Sequence, residues 1–235
     1  MTENFDSKQH AALASPRTSS PVSPQASSPA SPAKHGFVPT ASGTVGPFFP
    51  PRFLGAGDND LTIVAPAVPA AQGERIHISG HVYEAGRVPR LNTIVEIWQA
   101  DANGCFAHPA DPRHAEADPH FMGWGRTWTD QEGCFEFITV KPGAYLDPVS
   151  DQQRAPHINI SFTGSGLMRR LVTTLYFPDD ARNDADPVLA VIPDTALRAR
   201  LLLKPAAIAH TPAGAPRYVI DIVLQGADET PFFVD

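Results

Sequence analysis

The stretch of this sequence best suited to chemistry is Ala155-Pro156-His157-Ile158-Asn159-Ile160-Ser161. Alternation along a strand turns His157, Asn159 and Ser161 to one face and Ile158, Ile160 and Phe162 to the other. Two imidazoles at positions i and i+2 of such a strand would converge on one metal ion. Here the second position is Asn159, whose amide is a poor transition-metal ligand. The residues by themselves therefore favour a hydrogen-bonded structural histidine. A second group, His108, His114 and His120 with Glu116 and Asp118 among them, lies in a loop rich in Pro, Ala and Asp. Its spacing matches no ligand geometry. Cys105 and Cys134 are too few for a disulfide framework or a thiolate metal site, and are expected to be reduced.

The elements that must position these groups are short and mostly of period two. Residues 74–83 put Ile76, Ile78, Gly80 and Val82 on one face and His77, Ser79, His81 and Tyr83 on the other. Residues 93–99, 134–140, 157–162, 171–177 and 217–225 are β-rich runs bounded by Gly, Pro, Asp or Asn. Asp130-Gln131-Glu132-Gly133 reads as a hairpin turn after a strand over 127–129. One helix is expected over 194–203, capped by Asp194 or Thr195. Trp98, Trp124 and Trp128 alternate with polar residues, which suits core or subunit-interface packing. The pattern predicts an all-β fold, an antiparallel β-sandwich with long loops and one or two short helices.

Composition sets the outer bounds. The chain has 235 residues with 25 prolines, 17 glycines and only 18% charged residues, against about 5% proline and about 25% charged in an average domain. A net charge of −7 supplies no basic face, so nucleic acid is not an expected partner. No run of apolar residues is long enough for a membrane helix, and no signal-peptide core is evident, so a cytoplasmic protein is expected. The first forty residues hold eight serines, six prolines and six alanines, a composition that cannot bury enough surface to offset its ordering entropy. Residues 1–39 are therefore expected to form a disordered tail, and 40–235 one sandwich domain.

Gly80-His81-Val82, Val95-Glu96-Ile97-Trp98, the Asp130–Gly133 turn and Lys141-Pro142-Gly143 together resemble transthyretin-like sandwiches. A longer series carries a sharper resemblance: Thr44-Val45-Gly46-Pro47-Phe48-Phe49, Gln99-Ala100-Asp101-Ala102-Asn103-Gly104, Gly125-Arg126-Thr127, Val140-Lys141-Pro142-Gly143, the His157 strand, Leu175-Tyr176-Phe177 and Glu229-Thr230-Pro231-Phe232-Phe233. From about residue 40 to its end the chain resembles the intradiol ring-cleaving dioxygenases, and among them the α chains of the protocatechuate 3,4-dioxygenases. That family holds non-haem ferric iron with two tyrosinates and two histidines, donors that suit a hard, oxidised ion. The resemblance puts the first tyrosine at Phe106, the second at Tyr145, and the His-x-His pair at His157 and Asn159. Tyr145 and His157 are then vestigial ligand positions, and ligands are lost at Phe106 and Asn159.

The His-Ile-Asn departure is itself the α-chain pattern. It implies no catalytic or metal-ligating residue here, with the ferric iron bound by a partner β chain in a hetero-oligomer. The pair would act on a small aromatic substrate, 3,4-dihydroxybenzoate, and O₂. The resemblance also implies that Thr44, Gly46 and Pro47 line the partner's substrate cavity, with Phe48 where tyrosine is common. Ser165 falls where an arginine often stands near the substrate, which makes it a further candidate for substrate binding. Two other readings compete: a self-sufficient intradiol dioxygenase with an atypical iron site, and a transthyretin-like binding module without chemistry.

Overall fold

The computed structural model describes residues 53–206 and 214–233. The expected tail over 1–39 lies outside the described residues, as do Thr44, Gly46, Pro47 and Phe48. Ten strands are present among the described residues: β1 (Arg75–Tyr83), β2 (Thr93–Trp98), β3 (Trp124–Trp128), β4 (Cys134–Val140), β5 (Tyr145–Leu146), β6 (Gln153–Arg154), β7 (His157–Gly164), β8 (Leu171–Tyr176), β9 (Lys204–Ala206) and β10 (Arg217–Val223). One sheet has the order β4-β1-β10-β9, a second β3-β2-β7-β8, and β5-β6 form a small ribbon. The two larger sheets face each other as a sandwich. All pairings are antiparallel except β1 with β10, which run parallel from His77↔Arg217 to Tyr83↔Val223.

The period-two pattern reads directly onto the core. Ile76, Ile78 and Val82 of β1, Phe135 and Phe137 of β4, and Ile220 and Ile222 of β10 are buried against Val95 and Ile97 of β2 and Ile158, Ile160 and Phe162 of β7. Each such side chain contributes about 1.5–3 kcal/mol on full burial. A second cluster, Ala155, Tyr176, Leu189, Ile192 and Leu201, lies under two short helices, α1 (Pro187–Ala190) and α2 (Thr195–Ala199). Among the described residues no helix is long and apolar enough to cross a membrane.

Three expectations need correction. Residues 130–133 do form a turn, with Asp130 Oδ1 accepting from the Glu132 and Cys134 amides and Gly133 at φ +76°. It is not a hairpin, because β3 and β4 belong to opposite sheets and the turn carries the chain across the sandwich. Alternation fixes which face of a strand is apolar but not which strand becomes its neighbour. The helix over 194–203 is shorter than expected. Asp194 caps it through the Ala196 amide, but α2 stops at Ala199, and Leu201 and Leu203 turn in to bond Tyr176 of β8. Finally, of the core or subunit-interface packing expected for the three tryptophans, only the core alternative is overturned. Trp98, Trp124 and Trp128 remain 41%, 37% and 41% exposed on the outer face of the second sheet.

Candidate functional site

Two loops are locked together to bring Phe106 and Tyr145 side by side. The Asp101 carboxylate is buried and accepts hydrogen bonds from the amides of Asn103, Cys105 and Asp118. Its carbonyl accepts from the amides of Gly104 and Gly143. Gly104 sits at φ +76°, and a Cβ there would lie 2.2 Å from the Ala144 carbonyl oxygen; one on Gly143 would lie 2.5 Å from the Gly104 nitrogen. Only glycines allow the Asp-Ala-Asn-Gly and Lys-Pro-Gly loops to approach so closely. The backbone of Phe106 is then tied to Asp111, whose Oδ2 accepts from its amide at 2.8 Å.

The result is a continuous row of rings. Phe106 meets Tyr145 edge-on at 5.2 Å between centroids, Tyr145 lies 5.5 Å from His157, and His157 lies 5.7 Å from Tyr176. Trp98 stacks on Phe106 at 6.0 Å and closes the outer end. Phe106, Tyr145 and His157, three of the four positions singled out above, therefore come together. Asn159, two residues along β7, pairs across strands with Trp98 and Thr174, and its Oδ1 accepts from the Thr174 hydroxyl at 3.1 Å.

His157 is 3% exposed, and its Nδ1 donates to the Ala155 carbonyl at 2.6 Å. That bond leaves the Nε2 lone pair facing the Tyr145 hydroxyl at 3.5 Å, the outer limit of a hydrogen bond. Burial, followed by the nearby Arg154 cation, lowers the His157 pKa from 6.5 to about 4. Burial likewise pushes the Tyr145 phenol up. Both groups are neutral at pH 7, and each meets the polar need of the other.

The sign of the His157 shift has a measurable consequence. The unfolded chain takes up a proton near pH 6.5, whereas the folded chain resists protonation until about pH 4. Stability from this residue is therefore present above pH 6.5 and is lost as pH falls toward 4, by about 3 kcal/mol in all. Urea unfolding at pH 7.0 and 4.5 should show a smaller acid loss for His157→Gln than for the wild type. Equal losses in the two proteins would refute the account.

Beneath the ring row lies a network with little local sequence signal. Asp186 is fully buried and accepts from Arg154 Nε at 3.0 Å, the Ala155 amide at 2.9 Å and the Tyr176 hydroxyl at 3.0 Å. Its Oδ1 also caps α1 through the amides of Val188 and Leu189. Burial opposes its charge, but the Ala155 amide and Arg154 more than offset that and hold it below the usual carboxylate range. An Asp-Pro pair at 186–187 is a helix-start signal that could have located the cap. Nothing in the sequence pairs Asp186 with Arg154, 32 residues earlier.

The other candidates are dispersed. Ser165 lies on the β7–β8 hairpin, at the opposite end of β7 from His157, where its carbonyl accepts from Arg90. It is not brought to Tyr145 and His157 within this chain. Asp118 of the histidine-rich loop is buried and engaged by the Gln72 and His120 amides. Among the described residues no three His, Cys, Asp or Glu side chains are grouped to hold an ion. Cys105 and Cys134 are free thiols, both pushed up by burial.

The donor set does not fit a ferric ion. It comprises one phenol and one imidazole, with a phenyl ring at Phe106 and an amide at Asn159 already bonded to Thr174. Hard Fe(III) needs anionic oxygen donors in number, and a single phenol beside a single imidazole supplies at most one.

Residues 45–226 match the family model described as "Dioxygenase". The chain is 40% identical over 186 residues to the protocatechuate 3,4-dioxygenase beta chain of Burkholderia cepacia, covering 79% of each chain. It is 36% identical over 201 residues to the alpha chain from the same organism, covering 83% of this chain and 96% of that one. The catechol 1,2-dioxygenase structure from Acinetobacter sp. ADP1 superposes with a TM-score of 0.52 at 22% identity, over 70% of this chain and 55% of that one, and supports the fold. The family model over residues 45–226 and the identity to these protocatechuate 3,4-dioxygenase chains place this chain in the intradiol dioxygenase family.

Proposed function

We propose that this chain is the non-ligating, α-type subunit of a protocatechuate 3,4-dioxygenase. In that role it completes the active site of an iron-bearing β chain, which cleaves 3,4-dihydroxybenzoate with O₂ between its hydroxyl-bearing carbons to give 3-carboxy-cis,cis-muconate. The similarity to both kinds of chain supports a subunit of such an enzyme. The observation that carries the α-type reading is the self-satisfied Tyr145–His157 pair flanked by Phe106 and Asn159. The family's ferric iron is then held by the partner, and this chain contributes binding surface. Thr44, Gly46, Pro47, Phe48 and Ser165 are the proposed contributors, a hydroxyl and close-approaching backbone suiting a small polar aromatic.

Expression of the chain alone tests this reading. The purified protein should be colourless and hold far less than one iron per chain, because tyrosinate–iron charge transfer needs donors it lacks. Co-expression with a chain bearing both tyrosines and both histidines should yield a co-purifying, iron-loaded complex that cleaves protocatechuate. A coloured preparation of the lone chain with one iron each would instead establish a self-sufficient enzyme.

A further inference from the structure

Five aromatic rings run in contact from the surface to the interior: Trp98, Phe106, Tyr145, His157 and Tyr176, with successive centroids 6.0, 5.2, 5.5 and 5.7 Å apart. Trp98, at 41% exposure, is the end that solvent reaches, and Tyr176 is fully buried. Indole and phenol are electron-rich rings that yield one electron to a strong oxidant, and rings in contact pass the resulting hole between them. Phe106 does not itself hold a hole, but it touches both Trp98 and Tyr145 and bridges them.

Where a hole comes to rest depends on the proton. A phenol that has lost an electron is a very strong acid, so the electron leaves readily only where a base takes the hydroxyl proton. Tyr145 has such a base. Its hydroxyl faces His157 Nε2 at 3.5 Å, and because Nδ1 donates to the Ala155 carbonyl, Nε2 carries the lone pair. Proton transfer then needs only a small closing of this contact. Arg154 opposes a proton on His157, whereas the Asp186 carboxylate and the Ala155 carbonyl favour it. Around Tyr145 act one cation, Arg154, and three carboxylates, Asp111, Asp147 and Asp186, a set whose net negative charge favours a hole. Tyr176 suits the task less well. Its hydroxyl donates to Asp186 but accepts from the Arg154 cation at 3.2 Å, and Asp186 is already held by Arg154 and the Ala155 amide.

We infer that the ring row carries one-electron oxidation from Trp98 at the surface to Tyr145, with His157 as the proton acceptor. Its reactants are high-potential one-electron oxidants, small radicals and oxidised metal complexes, that meet the exposed indole. The oxidant takes one electron from Trp98, and the indole radical cation regains it from Tyr145 across Phe106. As that electron leaves, the Tyr145 O–H bond breaks and its proton forms an N–H bond at His157 Nε2. The products are the reduced oxidant, a neutral Tyr145 phenoxyl radical and the His157 imidazolium. This route requires Tyr145 and His157 to hold no metal, and it involves no partner chain.

Laser-flash oxidation of the full chain with photogenerated ruthenium(III) tris-bipyridine tests it, read by transient absorbance and by electron paramagnetic resonance of the frozen sample. The wild type should give a phenoxyl radical that forms more slowly in D₂O than in H₂O, because the proton moves with the electron. Tyr145→Phe should cut the phenoxyl yield severalfold and leave an indole radical in its place. Trp98→Phe and His157→Gln should each slow phenoxyl formation severalfold, with near-ultraviolet circular dichroism confirming the native fold. Equal phenoxyl yields in the wild type and Tyr145→Phe, the absence of a deuterium effect, or an unchanged rate in His157→Gln would overturn the inference. Loss of the signal in Tyr176→Phe but not in Tyr145→Phe would overturn it in favour of the Tyr176–Asp186 pair. Iron analysis of the same samples separates this outcome from the subunit reading. An iron-free chain without a Tyr145 radical overturns the redox route alone, whereas a chain loaded with one iron overturns both.

Discussion

Replacing Asp186 by alanine is expected to cost about 3–5 kcal/mol of folding stability, the loss typical when one partner of a buried ion pair is removed. The Asp186 carboxylate is 0% exposed and receives Arg154, the Tyr176 hydroxyl and three backbone amides. Alanine leaves the Arg154 cation, itself 8% exposed, without its counter-ion and removes the cap of α1. For a domain of this size the change corresponds to a fall in Tm of about 2–4 °C per kcal/mol. The double variant Arg154→Met/Asp186→Leu should recover much of the loss, because it removes both charges instead of stranding one. A thermal melt showing Asp186→Ala within about 1 kcal/mol of wild type would mean that water reaches Arg154 and the network contributes little.

The second large effect is a gain. The variant Phe106→Tyr/Asn159→His should bind ferric iron in the isolated chain and become coloured, whereas each single variant should hold much less. The site already has the loops locked by Asp101, Gly104 and Gly143, with Tyr145 and His157 in ring contact. What it lacks is donor atoms. Phe106 borders a cleft of about 230 Å³ with Trp98 and Tyr145, which leaves room for a hydroxyl. A histidine at 159 gives up the Thr174 bond and provides an imidazole on the same strand face as His157. The charge of a bound cation then favours the phenolate forms that burial disfavours in the wild type. Iron analysis and a visible spectrum read the outcome. A well-folded double variant without iron would mean that the backbone at these loops, and not only the side chains, has departed from a ligating geometry.

Part of this architecture is legible in the chain itself. The alternation of Ile76, Ile78 and Val82, and of Ile158, Ile160 and Phe162, identified core-facing strand surfaces, because side-chain direction along a strand is a local property. Asn159 was legible as a missing donor from the i, i+2 strand spacing, and Phe106 only through the family resemblance. Asp194 and the Gly133 turn were equally local, since a cap and a left-handed glycine involve only neighbouring residues.

The tertiary structure decided the rest, and for a common reason: each remaining feature joins residues that are distant in sequence. Pairing of β1 with β10 in parallel, and the separation of β3 from β4 into opposite sheets, depend on which strand edges meet; periodicity does not encode that. The tryptophans alternate as core residues would, yet they lie on the outer face because the inner face of the second sheet is filled by Val95, Ile97, Ile158, Ile160 and Phe162. Sequence could name Tyr145 and His157, but only the fold shows them satisfying one another. Arg154 and Asp186, a surface-type pair by composition, form a buried support beneath the site because β6, β7 and α1 converge there and exclude water from the charges.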